Sequence, residues 1–138
     1  MGRMENLMLN LHIVTPSRKV LSTTCENVVL PGFDGDMGIL SAHAPLVNKL
    51  GAGVVVIHGG AEASRLAIAG GVLEISNDEV TVLADEAIFP SEVNATKLEA
   101  EQKILSEKLL TVSEGSSDRK VLFEKQRWIT AQFEILKN

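Results

Sequence analysis

The sequence predicts an antiparallel β-sandwich over residues 1–89, followed by an antiparallel α-helical hairpin over residues 90–138. The first region has short alternating apolar stretches and holds ten of the eleven glycines. The second region contains only Gly115 and has apolar residues at helical spacing. Charge changes at the same place, because five basic and ten acidic residues precede Pro90, whereas eight of each sign follow it. All three observations place the boundary at about Pro90.

The strands are predicted from two-residue periodicity and β-branched runs. Six segments have this pattern: Leu7 to Val14, Asn27 to Leu30, Val54 to Ile57, Arg65 to Ala69, Val72 to Ser76 and Val80 to Ala84. They are separated by turn residues at Thr15 to Ser17, Pro31 to Asp36, Gly51 to Gly53, Gly59-Gly60, Gly70-Gly71 and Ser76 to Asp78. Because no helical pattern lies between such short strands, an antiparallel sandwich or barrel is favoured over a parallel α/β sheet.

The turn after Leu30 contains three evenly spaced glycines, Gly32, Gly35 and Gly38. The backbone amides of such a loop can bind an anion. Asp34 and Asp36 lie inside the loop, however, and their charges oppose a negative ligand. The pattern therefore predicts an exposed, acidic recognition loop.

Two helices are predicted after Pro90. Ser91 is the expected N-cap of the first, with Glu92 in its first turn. Its apolar stripe comprises Val93, Leu98, Ile104, Leu105, Leu109 and Val112. Residues 113–118 break the pattern, and a second helix to about Lys137 has Val121, Trp128 and Ile135 at heptad spacing. The short connection predicts an antiparallel hairpin.

Composition excludes several classes of function. A net charge of −5 argues against nucleic-acid binding, which needs clustered positive charge. The single cysteine, Cys25, cannot form an intramolecular disulfide or a zinc cage, and it is expected to be a small buried hydrophobe. No stretch approaches the roughly 18 apolar residues of a membrane span, and the first ten residues have no targeting pattern. A soluble, unexported chain is expected.

Motifs for catalysis are missing from the sequence. It has no P-loop, no GxGxxG, no GxSxG and no HExxH. His12, His43 and His58 lie in separate segments without metal-ligand spacing. No catalytic residue, cofactor or metal site is therefore predicted. Two other functions stay open at this point: a small enzyme with His43 and Asp36 as an acid/base pair, and a free-standing β-sandwich adaptor.

The segment from Val29 to Leu46, VLPGFDGDMGILSAHAPL, resembles the signature of the epsilon subunit of the F-type ATP synthase, VxLPGxxGExGxLPxHAPL. Three further pieces agree in register: LHIVTP from Leu11, AGGVLEI from Ala69 and VTVLAD from Val80. The resemblance is strong over residues 9–89, and over the helical part it rests on length and pattern.

The resemblance implies a non-catalytic subunit of the central rotor that couples proton flow to ATP synthesis. In this family the sandwich binds the gamma subunit and the membrane-embedded c-ring. By position, Asp36 and the neighbouring Met37 are expected to face the c-ring, although the family residue at position 36 is usually Glu. His43, Thr15 and Asn48 are expected to face gamma. The resemblance also implies a peripheral location on the cytoplasmic face of the cell membrane, with membrane association only through the complex.

The helical hairpin has a separate expected role. In bacterial relatives the helices can leave the sandwich, extend along gamma toward the catalytic alpha/beta hexamer and inhibit ATP hydrolysis. The second helix and its end carry five basic and three acidic residues between positions 118 and 137. Lys120, Lys125, Arg127 and Trp128 are the expected inhibitory residues, and the expected partner is an acidic loop of the catalytic subunits.

The chain departs from the family at one motif. Some bacterial members bind ATP through (I/L)DxxRA at the start of the first helix, where this chain has VNATKL. Asn94 lacks the carboxylate, Lys97 lacks the bidentate fork of arginine, and Leu98 replaces a small residue. Ile104 stands at the position of a further family arginine. Weak or absent ATP binding is therefore expected.

Overall fold

The computed structural model describes residues 8–61 and 63–137. These residues form eight strands, one short 3-10 turn and two α-helices: β1 (Leu9–Val14), β2 (Lys19–Cys25), β3 (Asn27–Gly32), β4 (Gly35–Leu40), β5 (Leu46–His58), β6 (Arg65–Ser76), β7 (Glu79–Ala84), β8 (Ala87–Ile88), the turn (Pro90–Glu92), α1 (Ala95–Leu109) and α2 (Ser117–Ile135). The predicted order, strands followed by two helices, is confirmed. The predicted start of the first strand at Leu7 lies outside the described residues.

The strands pair in the order β2-β1-β7-β6-β5-β3-β4, and β8 pairs with β6. Described neighbours run antiparallel, as predicted, except β1 and β7, which are parallel with Asn10 opposite Glu79 and Val14 opposite Leu83. These two strands come from opposite ends of the strand-rich region. No hairpin turn constrains their direction, so the antiparallel expectation does not apply to them.

One apolar core lies inside the folded sheet. It joins Leu9 and Leu11 on β1 with Leu30 on β3 and Ile39 on β4, all fully buried. Strands so far apart in the pairing order could not share a core in a flat sheet. The sheet therefore folds over itself into the two layers of a β-sandwich, which is the predicted fold class.

The longest strands, β5 and β6, run through both layers. On β6, Leu66 and Ile68 are buried before the glycine pair, whereas Leu73 and Ile75 are buried after it. The change from even to odd positions shows an irregularity at Gly70-Gly71 that lets the strand turn the corner between layers. The predicted breaks at this pair and at Gly51 to Gly53 are wrong, because both segments are bends within continuous strands.

Gly71 is required at this corner. Its φ is +146°, a conformation that side-chain-bearing residues rarely adopt. A Cβ atom there would collide with the carbonyl oxygen of Leu83 and would lie 2.8 Å from the Cα of Ala84. β6 can therefore approach β7 this closely only with glycine at position 71.

Three strands, β2, β4 and the two-residue β8, occur where the sequence did not predict strands. β2 pairs with β1 along its whole length. β4 takes up most of the predicted recognition loop and pairs with β3, with Gly35 opposite Gly32, so that only Phe33 and Asp34 form the turn between them. The segment is thus a β-hairpin, although Asp34 and Asp36 are exposed as expected.

The first helix begins later than predicted. Its N-cap is Asn94, whose side-chain oxygen accepts a hydrogen bond of 3.1 Å from the Lys97 amide. Ser91 is instead inside the 3-10 turn, which starts at Pro90 and is closed by a bond of 2.9 Å from the Phe89 amide to the Glu92 carboxylate. Proline suits the start of such a turn because its φ is preset.

The hairpin docks on the outer face of the sandwich through the C-terminal half of α2. Ala131 and Ile135 are buried there against Ala67 of β6. α1 packs on α2, with Leu98, Leu105 and Ile129 forming a separate buried cluster. Two predicted members of the apolar stripes are wrong: Ile104 is 54% exposed and Val121 is 56% exposed.

Candidate functional site

The two residues expected to face the c-ring lie at the beginning of β4, an edge strand of the sheet. Asp36 is exposed, and Met37 is half-buried against the core. The Asn48 side-chain amide donates to the Met37 sulfur at 3.3 Å. The structure thus joins a residue expected to face gamma with one expected to face the c-ring.

An exposed apolar band lies on the outer face of the sheet, on the other side of β5 from the Asn48 side chain. It consists of Val47 on β5, Val72 on β6 and Leu83 on β7, which are 68%, 43% and 55% exposed. Val72 pairs directly with Leu83 and is diagonal to Val47 in the strand register. A groove of about 760 Å³ between this face and α2 adjoins the band at Val47 and Val72 and continues to Phe33 and Glu124.

The His43 loop is held at the end of β4 by Asp78. The Asp78 carboxylate accepts bonds of 2.7 Å from the Ala42 amide and 3.2 Å from the Ser41 hydroxyl. The His43 ring is half-exposed, with Nδ1 2.7 Å from the carbonyl oxygen of Ala44. Sequence reasoning assigned Asp78 only to a turn, since its partners are more than 30 residues away in the chain.

Thr15 is less accessible than expected of a contact residue. It is 8% exposed, and its hydroxyl lies 3.3 Å from the Arg18 amide and carbonyl and from the Ser17 hydroxyl. The side chain therefore shapes the turn between β1 and β2. A partner at this end of the sandwich would meet the turn rather than the Thr15 hydroxyl.

A polar network crosses β2, β1 and β7 on the exposed face. His12 Nε2 lies 2.9 Å from a Glu79 oxygen, and His12 Nδ1 lies 2.8 Å from the Ser22 hydroxyl. Because a carboxylate only accepts, Nε2 donates to Glu79. Asn10 donates to the other Glu79 oxygen at 2.6 Å. The bonds from His12 and then Asn10 hold the pKa of Glu79 below its usual 4.5.

The depressed pKa of Glu79 gives a testable pH dependence. Its contribution to stability is fully present above the pKa of about 4.5 in the unfolded chain and is lost as the pH falls through the lower folded pKa. We expect the Glu79 carboxyl to titrate below 4.5 in an NMR titration, and His12→Ala to raise that pKa. His58→Ala, at another exposed histidine, is the control. An unchanged Glu79 pKa in His12→Ala would contradict the assignment.

The expected inhibitory residues have different environments in the docked hairpin. Lys120 and Lys125 are exposed, and Arg127 forms an ion pair of 3.3 Å with Glu124 one turn earlier. Trp128 is half-buried in the cluster that docks α2 on the sandwich. The three cations are therefore accessible in this arrangement, whereas Trp128 is partly covered.

The geometry gives no support for acid/base catalysis by Asp36 and His43. They lie at opposite ends of β4, and the strand between Asp36 and Leu40 alone spans about 13 Å. Among residues 8–61 and 63–137, no cluster of three metal-ligating side chains occurs, and neither helix is long and apolar enough to cross a membrane. Cys25 is buried as expected, and its burial raises the pKa of the thiol.

The residues of the nucleotide motif serve the helix instead. The Asn94 side chain caps α1, Leu98 is 3% exposed in the cluster between the helices, and Lys97 is exposed. Ile104 adds no charge at the position of the family arginine. The start of α1 therefore offers a phosphate only one of the charged groups that the family motif provides.

Comparison with known proteins agrees with this description. Residues 8–90 match the family described as ATP synthase, Delta/Epsilon chain, beta-sandwich domain. The ATP synthase epsilon chain of Microcystis aeruginosa is 35% identical over 126 residues, covering 91% of both chains. That of Paramagnetospirillum magneticum is 38% identical over 112 residues, covering 80% of this chain and 82% of the relative.

A solved structure has the same fold at lower identity. A chain of the Euglena gracilis mitochondrial ATP synthase, determined by cryo-EM as OSCP/F1/c-ring, aligns with a TM-score of 0.75 and 17% identity. The alignment covers 94% of this chain and 82% of that chain. The family match over the sandwich and the relatives that cover nearly the whole length lead to one conclusion: this chain belongs to the epsilon-chain family of the F-type ATP synthases.

Proposed function

We propose that this chain is a non-catalytic rotor subunit that links gamma to the c-ring in the central stalk of an F-type ATP synthase, and that its hairpin restrains ATP hydrolysis. Family membership supports the assignment to the complex. Similar folds occur in structures described as OSCP/F1/c-ring and as central stalk/cring. The subunit would lie on the cytoplasmic face of the membrane and reach the membrane only through the complex.

The observation that carries the proposal is the exposed apolar band of Val47, Val72 and Leu83. Exposed apolar side chains grouped on one face of a sheet are a usual mark of a protein interface. Here Lys49 and Glu74 lie between Val47 and Val72 in the strand register. The docked hairpin covers a different part of β5 and β6. Asn48 follows Val47 on β5, with its side chain on the opposite face of the strand. We assign gamma to this band, with His43 and the turn at Thr15 as flanking contacts.

The c-ring contact is assigned to the beginning of β4. Asp36 is exposed there, and the hairpin of β3 and β4 projects Phe33 and Asp34 at its turn. The Asn48–Met37 bond connects this hairpin to β5, which carries Val47 of the proposed gamma surface on its other face. A single rigid sandwich would therefore hold both partners, which is what coupling of proton flow to ATP synthesis requires of a rotor part.

Gamma binding tests this proposal directly. Val72→Asp combined with Leu83→Asp is expected to weaken binding to purified gamma about tenfold or more, because charge is placed in the centre of an apolar interface. Ile104→Asp is the matched control, since Ile104 on α1 is 54% exposed and Leu83 is 55% exposed. Binding is measured by calorimetry, with folding checked by circular dichroism.

Truncation and co-purification separate this function from the alternatives. A fragment ending at Phe89 keeps every strand and is expected to bind gamma like the full chain. A free-standing adaptor or small enzyme would not co-purify with gamma, catalytic and c-ring subunits. A folded fragment that fails to bind gamma would refute the assignment of that contact to the sandwich.

ATP is expected to bind weakly or not at all. Asn94 caps α1 and Leu98 is buried, so neither offers a ligand group to a nucleotide. A ligand that binds only the folded state stabilises it by RT ln(1 + [L]/Kd), so a melting scan with about 5 mM ATP measures the site. An increase with ATP that inorganic triphosphate does not reproduce would show that the altered motif still binds nucleotide.

A further inference from the structure

The contact between the hairpin and the sandwich is small. Its three buried members are Ala67, Ala131 and Ile135, and two of these have only a methyl side chain. The other members are only partly buried: Val54, Ile88, Val93 and Trp128. Grooves of about 760 Å³ and 430 Å³ separate the N-terminal half of α2 from the sheet. A joint with so little buried apolar surface opens locally more readily than the sandwich core does.

A second contact holds the root of the hairpin. The Arg18 guanidinium, on the turn between β1 and β2, binds both carboxylate oxygens of Glu92 at 2.9 and 2.8 Å. The same guanidinium donates to the Ala87 carbonyl at 3.3 Å. Glu92 also accepts from the Phe89 amide at 2.9 Å. Arg18 thus holds the end of the sandwich and the 3-10 turn together through a bidentate ion pair. We call this Arg18–Glu92 pair the clasp.

This clasp ends where the hairpin begins. Glu92 is followed by Val93 and Asn94, both in extended conformation, before α1 starts at Ala95. Val93 packs against the docking cluster and against the cluster between α1 and α2. With the clasp closed, the chain leaves the sandwich next to the docking surface. With it open, residues 90–92 lengthen the tether and lower the effective concentration of the hairpin at that surface.

We propose that Arg18 is a latch residue, which keeps the hairpin docked on β5 and β6 by holding Glu92 against the turn between β1 and β2. Loss of the clasp raises the fraction of molecules in which the hairpin is undocked. The regulatory meaning of the latch rests on the proposed function of the hairpin. The docking equilibrium belongs to this chain alone and is measured without any partner.

Thiol labelling measures undocking of the full chain. Ala67 is fully buried beneath α2, so a cysteine introduced by Ala67→Cys, with Cys25→Ser to remove the native thiol, reacts only when the hairpin leaves. When closing is faster than labelling, the labelling rate follows the undocked population. Arg18→Ala and Glu92→Gln are each expected to raise that rate about two- to fivefold, the range for an exposed ion pair. Lys19→Ala, which removes the neighbouring cation and leaves the clasp, is expected to have no effect.

Two further measurements keep the test decisive. Cys25, at 0% exposure in the core, reports opening of the sandwich when Ala67 is left unchanged. Its labelling rate is expected to stay constant in Arg18→Ala. Equal increases at Cys25 and at position 67 would overturn the latch, because Arg18 would then stabilise the whole sandwich. Acrylamide quenching of Trp128, the only tryptophan, provides a second probe with Ala67 intact. Unchanged quenching and labelling in both clasp variants would also overturn it.

Discussion

Replacing Gly71 with alanine is expected to lower the free energy of unfolding by about 3 to 5 kcal/mol. This loss combines the cost of an unfavourable φ with the cost of overpacking. The φ of +146° disfavours any side chain, and the added methyl group would meet backbone atoms of Leu83 and Ala84. Backbone atoms cannot rotate away as a side-chain end can. Relief therefore requires separation of β6 from β7, which pair from Gly71 to Ser76.

Gly38→Ala is the matched control for this prediction. Gly38 lies on β4, and a Cβ atom built there has no neighbour within 4 Å and needs no positive φ. Chemical denaturation monitored by circular dichroism compares the two variants, since Trp128 lies on the hairpin and reports the sandwich only indirectly. Equal stability of Gly71→Ala and Gly38→Ala would show that the corner between the layers adapts at little cost.

Deletion of residues 91–138 is expected to raise ATP hydrolysis by the assembled complex several-fold. The hairpin is the element proposed to restrain hydrolysis, so its deletion removes the restraint. Every strand that the structure describes precedes residue 91, so the sandwich is kept. Hydrolysis is measured at matched subunit occupancy, because loss of the whole subunit would also change the rate. Equal rates for intact and truncated complexes would remove the inhibitory role and leave only coupling.

A triple variant separates charge from packing in the same assay. Lys120→Ala, Lys125→Ala and Arg127→Ala together are expected to raise hydrolysis partly, with an effect that fades at high salt. Single exposed ion pairs are weak, so no one cation should dominate. Trp128→Ala should matter as much, but it also loosens docking on the sandwich. The labelling assay at position 67 tells these two effects of Trp128 apart.

Local pattern predicted the elements that bury one face. β1 and β7 alternate buried and half-exposed residues, so period-two reasoning found both. β2 was not predicted as a strand because Ser22, Thr23 and Thr24 interrupt its apolar pattern. β4 was not predicted as a strand because its glycine and aspartate residues are typical of a loop. Its pairing with β3 makes it a strand. The glycine pair of β6 was recognised as a special point but interpreted as an end instead of a corner.

The candidate surfaces were predictable only as far as they lie in one continuous motif. Asp36, Met37 and His43 were located by the segment from Val29 to Leu46, and their exposure follows from the β-hairpin and the loop. Arg18 and Asp78 carried no local signal, since their partners Glu92 and Ala42 are 74 and 36 residues away. Such residues emerge only after the sheet has folded and has brought distant turns together.

The parallel pairing of β1 with β7 has a consequence for synthesis of the chain. During translation, β1 and β2 emerge first as a two-stranded hairpin, which is marginally stable alone in water. The apolar residues Leu9, Leu11 and Ile13 of β1 can pack beside β7 only after Ala84 has left the ribosome. Contacts of this sequence separation slow folding. The sandwich is therefore expected to close late and in one cooperative step, and nascent chains arrested before β7 are expected to be sensitive to protease.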